Sequence, residues 1–234
     1  MRTHRPALHT FLLCAACLSS AVLPAATVTW DTSTNAGFQS GNGIWGTDAF
    51  WSTDGTTLAG WTAGDSALFL GGATKVTETI TLSGAQSIGG LSFGSATTSG
   101  AWTFAGTGTL SLAAATNIDV GSGSSANLAD RLVTGGLNIT KAGLGTLRMN
   151  SGTTANLAKV TVSAGVLELV GTGAEASGVG STYTLNNGTT LAIRSTGIWS
   201  SGAGAAITLN QGSVMTTNGF FNRLSNLTFN GGNL

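Results

Sequence analysis

Gly145-Thr146-Leu147-Arg148-Met149 and Gly165-Val166-Leu167-Glu168-Leu169 are two copies of one phrase. A glycine-containing turn is followed by a short segment in which every second residue is apolar. Alternation with a period of two is typical of a β-strand that buries one face. Further copies start at the turn glycines Gly108, Gly188 and Gly212, and another begins at Gly231-Gly232-Asn233-Leu234.

The turn glycines recur at a nearly constant interval. From Gly108 through Gly145, Gly165, Gly188 and Gly212 to Gly232, the steps are 37, 20, 23, 24 and 20 residues. An interval of 20 to 24 residues is typical of one coil of a β-solenoid. The step of 37 residues fits one coil with an insertion or two short coils.

Second strands lie between these phrases, for example Val160-Thr161-Val162, Tyr183-Thr184-Leu185, Ile207-Thr208-Leu209 and Leu227-Thr228-Phe229. Frequent Gly and Thr disfavour helix. The sequence therefore predicts an all-β chain that forms a right-handed, single-stranded parallel β-helix, or β-solenoid. If the phrases align, Ser111, Arg148, Glu168 and Ala192 form one outward row, and Arg148 faces Glu168 across adjacent coils.

The first residues have the pattern of a secretory signal peptide. Arg2 and Arg5 form a short positive region, residues 11–22 are an apolar run, and Leu23-Pro24-Ala25-Ala26 offers small residues for cleavage. The alternatives are a membrane anchor, for which the run is too short, and a poor lipoprotein signal at Cys14 to Cys17. We expect residues 1–25 to be the signal peptide.

The remaining chain divides into two regions. Residues 26–82 hold four of the six tryptophans, and we expect them to form a Trp-rich N-terminal cap over the open edge of the first coil. Residues 83–234 are expected to form the β-solenoid repeats. Because Leu234 ends the sequence inside a new copy of the phrase, we expect a C-terminal truncation.

The composition excludes several kinds of active site. Both His, both Cys and both Pro lie within residues 1–24, so the chain after the leader has no Ser-His-Asp triad, Cys or His nucleophile, or Cys/His zinc site. Removing Arg2 and Arg5 leaves seven basic against nine acidic side chains, which does not favour nucleic acid. We expect no enzyme activity, no catalytic residue, no metal and no cofactor.

Two glycine motifs match known patterns only formally. Residues 41–46 match the dinucleotide pattern G-x-G-x-x-G but lack the strand before it and the helix after it. Residues 90–94 match the hydrolase pattern G-x-S-x-G, but Ser92 has no histidine base. We interpret this segment as a solenoid strand with Leu91 and Phe93 inward and Ser92 outward.

Aromatic side chains of an exported protein can stack on sugar rings. Trp45, Trp51 and Trp61 are the candidates for such carbohydrate contacts. The alternative, which the sequence favours, is a hydrophobic core of the cap, because Trp is large and apolar and small domains bury it. Acids of the repeat region (Asp119, Asp130, Glu168 and Glu175) are expected to be solvated surface charges.

Residues 137–149, from Leu137 through Lys141, Gly143, Gly145 and Leu147, together with residues 161–169, resemble the autotransporter-associated β-strand repeat. That family's pattern runs roughly L-x-K-x-G-x-G-T-L-x-L and then T-V-x-A-G-x-L. The resemblance implies a β-helical passenger that is secreted or displayed at the cell surface, in association with the outer membrane. It brings no catalytic residues, and the family's C-terminal translocating barrel or other sorting segment is absent from this sequence.

The sequence thus predicts an exported passenger with a structural or adhesive surface role. Its partner is expected to be an extracellular polysaccharide or cell-surface polymer, and it would meet a membrane only through a C-terminal translocator or anchor. The alternative function is a secreted β-helix module that binds or degrades polysaccharide. Clustered acids or exposed tryptophans in a groove would favour the alternative, whereas an outer surface of Thr, Ser, Asn and Gly would favour the passenger.

Overall fold

The computed structural model describes residues 25–72, 74–95, 97–129, 131–150, 159–171, 182–195, 205–219 and 224–234. These residues form 21 β-strands and no helix, which confirms the all-β prediction. No helix in this part of the chain is long and apolar enough to cross a membrane. The signal peptide predicted for residues 1–25 lies outside the described residues, apart from Ala25.

Most strands belong to two long sheets, and each coil of the chain adds one strand to each sheet. Sheet A has ten strands: β1 (Thr27–Trp30), β3 (Trp51–Ser52), β4 (Ser66–Phe69), β7 (Gly90–Phe93), β10 (Thr116–Val120), β13 (Ile139–Ala142), β15 (Lys159–Val162), β17 (Thr182–Leu185), β19 (Ala205–Asn210) and β21 (Leu224–Asn230). Sheet B has eight: β2 (Gly43–Trp45), β5 (Val76–Leu82), β8 (Gly100–Gly106), β11 (Ser125–Ala129), β14 (Thr146–Asn150), β16 (Val166–Val170), β18 (Thr190–Ile193) and β20 (Val214–Thr216). Parallel pairing of equivalent strands from successive coils is the arrangement of a β-solenoid.

A third, shorter sheet accompanies the first coils. It consists of β6 (Ala85–Ile88), β9 (Thr109–Leu112) and β12 (Leu132–Val133). The three coils that begin at β4, β7 and β10 are therefore three-sided, whereas the later coils have strands only in sheets A and B among the described residues. The interval of 37 residues arises here, because Gly108 precedes a strand of the third sheet while Gly145 precedes one of sheet B.

This topology corrects the first member of the predicted outward row and confirms the pairing of the other three. Ser111 pairs within the third sheet, and the residue beside Arg148 in the preceding coil is Asn127. The phrase at Gly108 resembles the others because any strand of the solenoid alternates in the same way. Arg148 does lie beside Glu168, and Glu168 beside Ala192, as predicted, but Ala192 is buried at 1% exposure rather than open to solvent.

The core is a stack of inward rows that run through successive coils. In sheet A, Val162, Leu185 and Leu209 occupy equivalent positions, and each is 0% exposed. Full burial of one such aliphatic side chain contributes about 1.5–3 kcal/mol. Because side chains of successive coils stack in these rows, neighbouring coils stabilise each other through both backbone hydrogen bonds and core contacts.

Turn glycines allow the coils to stack closely. Gly143 has φ +71°, and a Cβ atom placed on it would lie 2.2 Å from the carbonyl oxygen of Val120 in the preceding coil. Gly165 has φ +66°, and its Cβ would lie 2.5 Å from the carbonyl oxygen of Gly145. Only glycine combines this backbone conformation with such a close approach.

The first part of the chain closes one edge of sheet A. Strand β3 runs antiparallel to β1 at the end of the sheet, with Trp30 beside Trp51. The rings of Trp30 and Trp51 are 5.1 Å apart. Strands β4 and β5, within residues 66–82, already pair in register with the next coil, so this part of the predicted cap region belongs to the first three-sided coil.

Candidate functional site

The outer face of sheet A carries a continuous row of threonines. Register places Thr140 beside Thr161, and the row then continues through Thr184, Thr208 and Thr228. The first four are partly exposed and Thr228 is exposed. Because adjacent strands of a sheet are about 4.8 Å apart, the row presents hydroxyl and methyl groups at that interval. We call these five residues the threonine row.

In three of these strands, threonine stands between two inward apolar residues. Tyr183 and Leu185 point into the core on either side of Thr184, and Ile207 and Leu209 do so around Thr208. β-Branched threonine suits a strand whose outer face meets water. These strands are predicted from the sequence, but their shared threonine is not; the recurrence of an apolar-Thr-apolar triplet at Thr161, Thr184 and Thr208 is the signal that reveals it.

A polar groove continues the same face toward the first coils. It has a volume of about 390 Å³, and its lining includes Thr27, Ser66, Gly90, Thr116 and Asn117. Asn117 lies directly beside Thr140, so the groove adjoins the threonine row. Gly90 lies beside Ser66 and has no side chain to fill the space between neighbouring coils. Hydroxyl and amide groups dominate this lining, which contains no charged residue.

Hydrogen-bonding groups of asparagines flank the threonine row. Asn210 lies beside Asn230, and the amide Nδ2 of Asn230 donates to Oδ1 of Asn210 at 3.2 Å. The backbone N–H of Asn186, next to Leu185, donates to the carbonyl of Val162 in the preceding coil. The centre of this face is therefore uncharged and rich in groups that both donate and accept hydrogen bonds.

The outer face of sheet B differs because it carries an ion pair. Nε and Nη2 of Arg194 donate to Oε1 of Glu168 at 3.1 and 2.9 Å. The two side chains are 40% and 20% exposed. Glu168 thus lies beside Arg148 in register, as predicted, but the ion pair given by the structure joins it to Arg194 in the following coil. Such an exposed pair contributes little to stability.

One lysine lies inside the solenoid. Lys141 occupies the inward row of sheet A between Ile118 and Val162, and it is 0% exposed. Its Nζ donates to the carbonyl oxygens of Ala142 and Gly143 at 2.6 Å, and to that of Ala164 in the next coil at 3.1 Å. All three donors of the ammonium group are therefore used. Lys141 lies in the segment Ile139-Thr140-Lys141-Ala142-Gly143, and it ties one turn of the solenoid to the next.

Burial controls the protonation of this lysine. Desolvation lowers the pKa of Lys141 from 10.5 to about 8, and the carboxylate of Asp119 opposes the decrease. Asp119 lies beside Ala142 in the preceding coil. The lysine has no reactive partner in the geometry described here, since its hydrogen bonds all go to backbone carbonyls. We therefore assign it a structural role.

A buried carboxylate lies in the corresponding inward row of sheet B. Glu78 is 5% exposed and is beside Trp102 in register. The indole Nε1 of Trp102 donates to Oε2 of Glu78 at 2.9 Å. A polar group in the core needs such a partner, because burial removes its hydrogen bonds to water. The pair is another case in which equivalent positions of adjacent coils complement each other.

The three tryptophans proposed to contact carbohydrate are buried to different degrees. Trp45 and Trp51 are 0% and 1% exposed, so neither can offer a ring face to a sugar, and the prediction is corrected for these two. Trp61 is partly buried, and its Nε1 donates to the carbonyl of Ser87 at 3.0 Å. Ring centroids of the three are 4.7 to 4.8 Å apart. The geometry favours the alternative, a hydrophobic core of the cap.

The two glycine motifs are both part of the solenoid. Strand β7 contains residues 90–93, with Leu91 and Phe93 buried and Ser92 partly exposed, as interpreted from the sequence. Strand β2 contains residues 43–45, and it pairs in parallel with β5. Neither segment joins a strand to a helix, which both functional motifs require.

Acidic side chains of the cap are used by the backbone around them. Hydrogen bonds from the backbone N–H groups of Thr57 and Thr56 hold the pKa of Asp54 well below its ordinary value. Asp54 and Asp65 both line a small cavity of about 210 Å³ beside Trp51. Within the described residues, no three His, Cys, Asp or Glu side chains come together as a metal site would need. Asp130 and Glu175 lie outside the described residues.

Comparison with known proteins gives no assignment: no family model, no curated protein and no solved structure matches the chain.

Proposed function

We propose that this protein is an exported, autotransporter-type passenger with a structural or adhesive role at the cell surface and no catalytic activity. Its location would be extracellular or associated with the outer membrane. The leader pattern in residues 1–25 supports export, and the resemblance of residues 137–169 to passenger-associated repeats supports the passenger assignment.

The threonine row is the observation that carries the adhesive role. It offers five equivalent threonines in register on a rigid sheet, and the groove lined by Ser66 and Asn117 extends the same face. An extended polymer with repeating hydroxyl groups can form the same contact at each coil, so that many weak contacts add up. Polysaccharide at a cell surface is the partner that fits this chemistry best.

Substitution of three threonines by valine tests the adhesive role. Valine is close to threonine in shape and β-propensity but lacks the hydroxyl group. We expect the triple variant Thr161→Val, Thr184→Val and Thr208→Val to lose at least about tenfold in affinity for bacterial surface polysaccharides immobilised on a sensor, which corresponds to about 1.4 kcal/mol.

A matched control is available on sheet B, where Thr146, Thr190 and Thr216 are also partly exposed strand residues. The variant with valine at these three positions should bind as the unsubstituted protein does. Equal losses in both triple variants, or unchanged binding in the sheet A variant, would contradict a role for the threonine row.

The alternative, a β-helix module that degrades polysaccharide, draws on the open groove beside Gly90 and Asn117. Release of new reducing ends or unsaturated sugars from the same polysaccharides would favour it. The groove supplies no acid or base to carry such a reaction, so we expect binding without product release.

A further inference from the structure

The carboxylate of Asp65 binds the backbone just before the first strand of the solenoid. Asp65 precedes β4 and is 9% exposed. Its Oδ1 accepts a hydrogen bond from the backbone nitrogen of Ala26 at 2.8 Å. The carbonyl of Ala26 in turn accepts from the backbone nitrogen of Ser66 at 2.7 Å. Both polar groups of Ala26 are therefore fixed against the neighbouring coil, immediately before β1 starts at Thr27.

Further bonds keep the carboxylate in place. The backbone nitrogen of Asp65 donates to the carbonyl of Thr62 at 3.2 Å, and its carbonyl accepts from Gly89 at 2.8 Å. The backbone of Asp65 is thus hydrogen-bonded both to a residue that precedes it, Thr62, and to one in the next coil, Gly89. The side chain of Asp65 is directed at the nitrogen of Ala26 because the surrounding backbone is fixed by the stacking of coils, and Thr27 lies beside Ser66 in register.

The same nitrogen lies at the end of the leader in the sequence. Ala25 and Ala26 are the small residues that follow the apolar run, and both are exposed. Hydrolysis of the peptide bond between them adds water, leaving a carboxylate on Ala25 and an α-ammonium group on Ala26. The atom that donates to Asp65 would then change from a neutral amide to a positively charged amine in the same position.

From this juxtaposition, and on the basis of the proposed export, we propose that the leader is cleaved between Ala25 and Ala26, and that Asp65 is a binding site for the new N-terminus. The nitrogen of Ala26 and Oδ1 of Asp65 are already at the distance of an ion pair. Charge-assisted hydrogen bonds are about twice as strong as neutral ones. Processing therefore fastens β1 to β4, and the first coil is more stable in the mature chain than in the precursor.

The ion pair is tested on two purified mature chains that differ only in the chemistry of the N-terminus. One chain begins at Ala26 with a free amine, and the other has the same amine acetylated, which removes the charge and keeps the N–H. We expect the free amine to raise Tm by about 2–4 °C at pH 6. The gain should disappear above about pH 9, because an α-amino group ordinarily loses its proton near pH 8.

Substitution of the partner makes the test specific. In Asp65→Asn the two starts should unfold at the same temperature, whereas in Asp48→Asn, which removes another acid of the cap, the difference should persist. Asp48 caps the backbone nitrogen of Ile44 and does not contact Ala26. Equal Tm for the two starts of the unsubstituted protein, or an undiminished difference in Asp65→Asn, overturns the ion pair.

The cleavage site is tested separately on the full chain, expressed in a Gram-negative host and analysed by intact mass. A mature N-terminus at Ala26 supports the inference. Cleavage at another bond overturns it and leaves the proposed export intact, whereas an uncleaved chain that stays in the cytoplasm overturns the export proposal itself.

Discussion

The buried lysine predicts an unusual dependence of stability on pH. Lys141 has a pKa of about 8 in the folded protein, against an ordinary value of 10.5. Between these two pH values the unfolded chain keeps the proton and the folded chain does not. Unfolding therefore takes up a proton, and the free energy of unfolding rises with pH over this range. The difference in pKa corresponds to about 3 kcal/mol.

The measurement compares the protein with Lys141→Met by urea unfolding, followed by tryptophan fluorescence, from pH 7 to pH 10.5. Methionine keeps a long, flexible side chain in the same space but cannot titrate. The other lysines and the tyrosine are common to both proteins, so their titration cancels in the difference between the two free energies of unfolding.

As the pH rises from 7 to 10.5, we expect the free energy of unfolding of the unsubstituted protein to increase by about 3 kcal/mol relative to that of Lys141→Met. The variant Asp119→Asn should move the onset to lower pH, because the carboxylate of Asp119 raises the pKa of Lys141. A difference that stays constant across the whole range would refute the argument that burial controls the protonation of this lysine.

Three further predictions concern contacts between coils. Gly143→Ala should lower the free energy of unfolding by at least about 1 kcal/mol, because φ is +71° and a backbone carbonyl of the neighbouring coil is in the way; an unchanged urea midpoint would contradict this. Trp102→Phe should cost about 1–3 kcal/mol, since Glu78 loses its indole donor, and the cost should shrink when Glu78→Gln is added. A double-mutant cycle on Glu168 and Arg194 should give a coupling of about 0.2–1 kcal/mol that decreases with salt, and a larger value at high salt would argue against an exposed ion pair.

The sequence was sufficient to predict the class of fold, because a period of two within strands and a period near 22 residues between turns are both local properties. It was not sufficient to assign each strand to a sheet. The segment at Ser111 alternates in the same way as that at Arg148, yet the two belong to different sheets. Pairing depends on where the corners of the coil fall, and glycine-rich turns do not specify this.

The side chains that connect coils were the hardest to foresee. Alternation places Lys141 on the inner face beside Ile139, but a charged residue is ordinarily assigned to solvent. Its burial follows from three backbone carbonyls, the most distant of which belongs to Ala164, 23 residues after the lysine, and their convergence is visible only after the coils are stacked. By contrast, burial of Trp45 and Trp51 agrees with the interpretation that the sequence analysis favoured, because large apolar rings seek a core.

The threonine row also has an evolutionary consequence. Each coil contacts mainly the coils before and after it, so a duplication of one whole coil would preserve the hydrogen bonds, the inward rows and the outer face on both sides. Every such duplication would lengthen the row by a single rung of about 4.8 Å. Gene duplication can therefore lengthen this surface by one threonine at a time without any other change to the site.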